Sequence, residues 1–484
     1  MNNRSTTLMT TPARTAARRS QRPPGREWRV LAWLVRHPLF LAHPLAGVGS
    51  LMLFGPLATA AGYTAMTGLV LAWWRAHPAT FDRYMAPRIR SVWRRWICYR
   101  GGRWASLVAD CGLTREHRHT GETLIPRVVR VRAVTPSIDT LLVRMVRGQD
   151  LPHWQEHAPV LADALLAHRV AVSRHRPGVV ALLVEREQPF THVIPAPEIP
   201  ESATEVDLAA LDVGDNERGE PFTISILRGH RLVVGNTGSG KGSILWSTLR
   251  AAGPAIRDDL VRVHMVDLKG GVETEQGASL FSGYATAGSD AVELLTDFRD
   301  RMKARQQWMR DNNIRACTPS AETPVELLMI DEMAMLTAYG DRSVVRDALR
   351  LLAEIMTQGR ASLFTVNGYL QEPSKDVVDV RELFTQRICL AVTAASHVDM
   401  ALGDGARERG ALADEIPCDA EHAGIGFVVD AGSRLPIRFR AAYVTDDDIA
   451  ELVARCTPHD ADVIDLHPHD EQDDEQGRAA GGAS

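Results

Sequence analysis

Acidic residues are missing from the first 26 positions, and no charge of either sign occurs from Pro38 to Trp74. Lysine is scarce: Lys241, Lys269, Lys303 and Lys375 are the only four among 55 basic residues. Arginine therefore carries nearly all the positive charge, which points to a GC-rich genome rather than to a mechanism. The six cysteines, Cys98, Cys111, Cys317, Cys389, Cys418 and Cys456, fall in no C-x-x-C or related spacing. That excludes a thiolate metal knuckle and a disulfide framework, and fits reduced thiols in a cytoplasmic body. No internal repeat is present, which excludes a solenoid.

What is present is a chain of 484 residues, 45% apolar and 24% charged, long enough for two or three domains. Its net charge of −5 conceals an asymmetry. Arg4, Arg14, Arg18, Arg19, Arg22 and Arg26 make the beginning basic, while Asp446 to Glu475 is dominated by carboxylates.

The charge-free stretch is too long for one helix across a hydrocarbon core of ~30 Å, which takes about 20 residues. Gly55-Pro56 supplies a turn, so Leu39–Phe54 and Leu57–Trp74 are expected to be two spans. Arg29 and Arg36 precede the pair, and Arg75, Arg83, Arg88, Arg90, Arg94 and Arg95 follow it. Positive flanks on both sides place both termini and the main body in the cytoplasm, as a multi-pass protein of the cell membrane. Trp73, Trp74, Trp93 and Trp96 suit the membrane interface. The competing reading is a buried helical hairpin in a soluble domain.

The expected order is a basic leader (1–37), two transmembrane helices (38–75), a basic juxtamembrane linker (76–121) and a small α/β subdomain (122–200). A P-loop motor (201–456) and an acidic disordered tail (457–484) complete the chain. Between 122 and 200, "LIPRVVRVRAV", "IDTLLVRMV", "RVAVSRH" and "GVVALLVERE" alternate as strands, around one helical stretch, "LPHWQEHAPVLADALLAH". A Pro-rich acidic linker then leads to a region where apolar strands alternate with helices. That rhythm predicts an α/β, RecA-like core with a parallel sheet covered on both faces.

"RLVVGNTGSGKGSILWS" combines a short apolar strand, a glycine-rich turn and a helix. Gly235, Gly238 and Gly240 let backbone N–H groups converge on phosphate oxygens, and the helix N-terminus favours the same charge. Asn236, Thr237, Ser239, Gly242 and Ser243 complete the loop, and Lys241 is placed to reach the β- and γ-phosphates of ATP. "VELLMIDE" is a second strand ending in Asp331-Glu332. Asp331 is expected to hold Mg²⁺, and Glu332 to polarise the attacking water. Gly242 departs from the pattern, because Ser or Thr normally completes the magnesium shell there. Ser243 is a metal candidate, but one helical step rotates it by about 100°, and a water can fill the position instead.

In order, "RGEP", "GNTGSGKGS", "MVDLKGGVE" (Met265–Glu273), "QGRA" (Gln358–Ala361), "LQEPSKD" (Leu370–Asp376), "FTQRICLAV" and "LGDGARERGA" resemble the FtsK/SpoIIIE family of double-stranded DNA translocases. The likeness runs from about Glu122 to Val453 and is strongest to membrane-anchored transfer proteins of actinobacterial plasmids and integrative elements, whose loops also end GKGS. The resemblance implies a homo-hexameric ring that threads duplex DNA at the expense of ATP and Mg²⁺. It also implies Gln371 as a γ-phosphate sensor and Arg360 or Arg387 as a finger on a neighbour's nucleotide. Asp267, Lys269 and Glu273 are implied to couple nucleotide state to a DNA-facing loop. After Val444 too few residues remain for the family's winged-helix module, so a separate DNA-recognition protein is expected. The Asp/His run from His459 to Asp474 reads as a solvated tail.

Three alternatives stay open: a type IV-like coupling protein for single-stranded DNA, a type VII-like protein-export ATPase, and a weakly hydrolysing membrane scaffold. The short Lys241–Asp331 interval leaves no room for the coupling proteins' inserted helical domain. The single phosphate loop counts against the export class.

Overall fold

The computed structural model describes residues 38–133, 135–227, 229–373, 379–429, 435–458 and 464–465. The leader, most of the tail and the "SKDVV" part of the late motor segment lie outside the described residues. The chain divides into two compact units, Met1–Met85 and Ala86–Ser484.

In the first unit, helix α1 (Pro38–Ala76) is interrupted at Gly55, whose φ of 75° and ψ of 170° only glycine adopts without strain. Helix α2 (Pro78–Tyr84) follows, and Trp73 packs edge-on against Phe81. The break falls where Gly55-Pro56 predicts it, but two membrane-crossing helices are not obtained. Among the described residues no helix is long and apolar enough to cross a membrane. The break shortens each arm, and Gly, Ala, Thr and Tyr dilute the second one. Thr59, Thr64 and Thr67 turn their hydroxyls onto carbonyls four residues back. Leu53, Phe54, Leu57 and Leu69 are nevertheless exposed.

The second unit starts inside the expected linker, and that linker is helical. Helices α3 (Ala86–Ile97) and α4 (Gly101–Asp110) precede an antiparallel sheet of β1 (Arg127–Arg132), β2 (Ile138–Arg144), β3 (Arg169–Arg176) and β4 (Val179–Glu185), ordered β1-β2-β4-β3. Tyr99, Trp104, Val108, Cys111 and Leu113 join Leu141, Trp154, Leu161, Val172 and Leu182 in one core. Trp104 Nε1 donates to the Pro126 carbonyl at 2.8 Å. The subdomain therefore reaches back towards Ala86 rather than starting at 122, because Tyr99, Trp104 and Val108 are part of its core. The one predicted helix is two, α5 (Leu151–Glu156) and α6 (Ala158–Leu165), each with a proline in its first turn.

The large sheet has eleven strands. Its motor strands are β7 (Arg231–Val234), β8 (Val261–Asp267), β9 (Phe281–Ala285), β10 (Val325–Asp331), β11 (Phe364–Leu370) and β12 (Gln386–Leu390). They lie in the order β9-β8-β10-β11-β7-β12, all parallel, with Ile464–Asp465 pairing parallel at the outer edge. Beyond β12 the sheet turns antiparallel through β13 (Ile425–Val429) and β14 (Pro436–Ala441) to a hairpin of β5 (Leu211–Asn216) and β6 (Pro221–Ile224). That hairpin comes from the stretch expected to be linker.

Alternation sorts the parallel strands between two cores. Leu232, Val234, Leu328 and Ile330 face helices α8 (Gly288–Asp311) and α9 (Arg342–Gln358) through Phe298, Leu351 and Ile355. Val233, Leu327, Met329 and Tyr369 face helices α7 (Lys241–Arg257) and α11 (Asp446–Cys456) through Ile244, Leu249 and Leu452. Burial on both faces is why these strands read as unbroken apolar runs.

Subdomain and motor meet at a buried charged joint. Arg169 donates from Nε to Glu185 Oε2 at 2.8 Å and from Nη2 to Glu217 Oε2 at 2.7 Å. Arg438 Nη1 reaches Glu185 Oε1 at 2.8 Å.

Candidate functional site

Three neighbouring parallel strands end at the same edge of the sheet and deliver the site. β7 runs into the loop 235–240 and α7; β11, beside it, runs into Gln371; β10, next again, ends at Asp331. Asp267 at the end of β8 is in register with Asp331. Residues far apart in sequence meet because parallel strands bring all their C-terminal ends to one side.

The loop is fixed from below. Gly235 N–H donates to Leu370 O and Asn236 N–H to Ala391 O, both at 2.9 Å, and Gly424 N–H donates to Ser239 O at 2.8 Å. Gly240 has φ 95°, and a Cβ there would stand 2.4 Å from Gly424 N. Glycine is required at that position on both counts. Within the turn Ser239 N–H and Ser243 N–H find backbone acceptors. Among the described residues the N–H groups of Gly238, Gly240, Lys241 and Gly242 do not, and they form the head of α7, where an anion is favoured.

Lys241 is 9% exposed and folds back on its own loop, donating to Gly235 O at 2.7 Å and Asn236 O at 3.1 Å. Burial holds its pKa below the ordinary lysine value, an effect Glu332 partly offsets. Asp331 and Glu332 are both buried, and Glu332 has a left-handed φ of 55°. That unusual backbone turns its carboxylate back to the loop. Burial raises the Glu332 pKa, with Lys269 and Lys241 opposing, and its Oε2 lacks a hydrogen-bond partner. Lys269 Nζ lies 3.1 Å from Asp331 Oδ2 and 3.8 Å from Glu332 Oε2. Burial disfavours the Lys269 charge, but Asp331 and Glu332 outweigh it and raise the pKa. Thr237 Oγ1 donates to Gln371 Oε1 at 3.0 Å, which sets Gln371 across the loop.

The residues fit a magnesium nucleotide. The loop offers unengaged N–H groups, Lys241 stands beneath it, and the Ser239 hydroxyl and Glu332 Oε2 are buried without a hydrogen bond. Asp331 carries carboxylate oxygens at the strand end where a hard cation is held. Gly242 is not forced by packing: a Cβ there meets nothing within 4 Å.

The predicted residues Gly235 to Ser243, Asp331, Glu332 and Gln371 are thus brought together. Arg360 and Arg387 are not. Arg360 precedes β11 and Arg387 begins β12, at the opposite edge of the sheet from the loop. Arg387 is tied within its own chain to Glu382 at 3.1 Å and to the carbonyls of Phe384 and Arg381. Arg360 is exposed beside Cys317, Thr318 and Gln358 in an open groove. Sequence reasoning missed Gly424 as the floor of the loop, for which "AGIG" gave no local signal. It placed Lys269 near the nucleotide but not on Asp331.

A parallel sheet whose central strand feeds a glycine loop, flanked by an acidic strand end and a polar sensor, defines a P-loop nucleotide-binding motor core. Residues 198–413 match the FtsK/SpoIIIE family. DNA translocase FtsK of Mycobacterium tuberculosis is 27% identical over 255 residues, covering 47% of this chain and 28% of that protein. DNA translocase FtsK of Corynebacterium efficiens is 22% identical over 323 residues, covering 60% and 32%. The chain thus spans under a third of the length of both proteins. Among solved structures, the pCW3 conjugation coupling protein TcpA superposes with a TM-score of 0.47 at 17% identity, covering 72% of this chain and 98% of that one. The type VII secretion ATPase EccC of Thermomonospora curvata gives 0.43 at 21% identity, covering 56% and 34%.

Proposed function

We propose that this chain is an ATP-driven motor that moves double-stranded DNA at a membrane, in the transfer of plasmid or element DNA between cells. The observation that carries the ATPase part is the convergence of Lys241, Asp331, Glu332 and Gln371 on one loop. Lys241 and the loop N–H groups hold the phosphates, and Asp331 holds Mg²⁺, which neutralises phosphate charge when bound. Glu332, at a left-handed backbone position with one carboxylate oxygen that makes no hydrogen bond, takes a proton from the attacking water. Gln371 reads the γ-phosphate from the adjoining strand.

Arg360 is the finger in this reading, and a homo-hexameric ring supplies it in trans. Its exposure and its distance from its own loop support that role, whereas Arg387 is engaged at home. The exposed apolar side chains of α1 support membrane attachment, with both termini and the motor cytoplasmic.

The test uses residues 86–484, since a start at 122 would strip Trp104 and Val108 from the subdomain core. Hydrolysis is measured without nucleic acid, with duplex and with single strands. Stimulation by duplex that weakens with salt and vanishes in Lys241→Ala is expected. Preference for single strands would support the coupling-protein reading, and no turnover in any condition the scaffold. Arg360→Ala is expected to lower stimulated turnover about 10³-fold without changing the melting of the chain.

A further inference from the structure

Helix α3 carries two faces with different tasks. One is fastened to the small subdomain: Arg94 bonds Asp139 and the Pro136 carbonyl, and Ser91 Oγ accepts from Ala133 N–H at 2.8 Å. Ala86 on the same side is buried. The other face is apolar and open, with Ile89 50%, Val92 59% and Trp93 59% exposed. Trp96 and Ile97 continue that stripe, and together with Arg88 these residues line one shallow groove. Arg88 and Arg95 flank it, and the Arg100 guanidinium lies 3.7 Å from the Trp96 ring centroid. The helix contains no acidic residue.

We propose that α3 lies flat in the headgroup region of an anionic bilayer and fixes the orientation of the second unit on the membrane. The chemistry is that of an interfacial helix. Indole rings prefer the boundary of hydrocarbon and water, isoleucine and valine enter the acyl region, and guanidinium groups pair with lipid phosphates. Because the polar side is bonded to folded protein, the apolar side is presented rigidly and loses little entropy on docking. Arginines on the rim match an anionic surface and disfavour a second copy of the same basic face. The inference rests on the membrane part of the proposed function and is independent of its DNA part.

The test compares the full chain with the 86–484 unit, which has its own cores, by flotation with phosphatidylcholine vesicles with and without phosphatidylglycerol. The 86–484 unit is expected to float with the anionic vesicles only, and to detach as salt rises. Ile89→Glu/Trp93→Glu is expected to lower that binding at least tenfold while leaving thermal melting and basal hydrolysis unchanged. Flotation of the full chain without flotation of the unit overturns the α3 contact and leaves membrane attachment standing; flotation of neither overturns both. A double variant that floats normally, loses duplex DNA binding, or differs from wild type only in self-association assigns the face to another partner and also overturns the proposal.

Discussion

Two buried clusters in the second unit both set basic side chains against carboxylates, lysines at the loop and arginines at the joint, and solve opposite problems. At the loop edge, Lys241 and Lys269 face Asp331 and Glu332, yet Lys241 donates to backbone carbonyls and one Glu332 oxygen makes no hydrogen bond. At the joint, Arg169 and Arg438 clamp Glu185 from both sides, with Glu217 closing the second arm of Arg169. Both clusters leave buried atoms without a hydrogen bond, Glu332 Oε2 at the loop and Glu217 Oε1 with Arg438 Nε at the joint, but only the first lies beside backbone N–H groups that can receive a phosphate. Buried charge by itself therefore does not mark a catalytic centre; incomplete pairing beside an anion-binding loop does.

Substitutions separate the two. Lys241→Ala is expected to have the largest effect, cutting hydrolysis about 10³-fold or more. Glu332→Gln is next. Turnover should fall about 10²–10⁴-fold while a fluorescent ATP analogue still binds. Because burial raises its pKa, the wild-type rate should be lost, as pH falls, above the ordinary glutamate value of about 4.3. Glu332→Gln should abolish that limb.

At the joint the expectation reverses. Glu185→Gln should cost about 3–5 kcal/mol in urea unfolding, because two buried guanidinium groups lose their carboxylate. Burial pushes Glu185 up, and Arg169 and Arg438 more than offset it, so its folded pKa is lowered. The stability it supplies is then fully present above the unfolded pKa and lost as pH falls through the folded value. Unfolding curves from neutral to acid pH check this, and the substitution should flatten that dependence. Gly242→Thr should have the smallest effect. The position is open, so the hydroxyl fits, and replacing a glycine in the first turn of α7 adds at most about 0.5 kcal/mol. The magnesium needed for half-maximal turnover should fall a few-fold, and no change would show that water already serves the metal there.

The loop, Lys241 and Asp331-Glu332 were legible because each is punctuated locally, by glycines for positive φ and by acidic residues directly after an apolar strand; Gln371 came only through the family resemblance. The parallel core was legible for the same reason, since strands buried on both faces leave unbroken apolar runs. The β5–β6 hairpin was hidden in a Pro-rich acidic stretch, because an edge strand with one polar side looks like a linker. The α3–α4 region was hidden by its arginines, of which Arg94 bonds the subdomain instead of meeting solvent. The break at Gly55 could be placed from Gly-Pro alone, but two membrane crossings did not follow from the absence of charge.

Sequence by itself determined the nucleotide chemistry, because a phosphate cradle needs particular backbone freedom and particular side chains within a short span. Tertiary structure decided which distant residues complete it, where the subdomain begins, and that Arg169, Glu185, Glu217 and Arg438 form one joint. Those outcomes depend on strand order and on which charges lose their water together, and neither is written in local spacing.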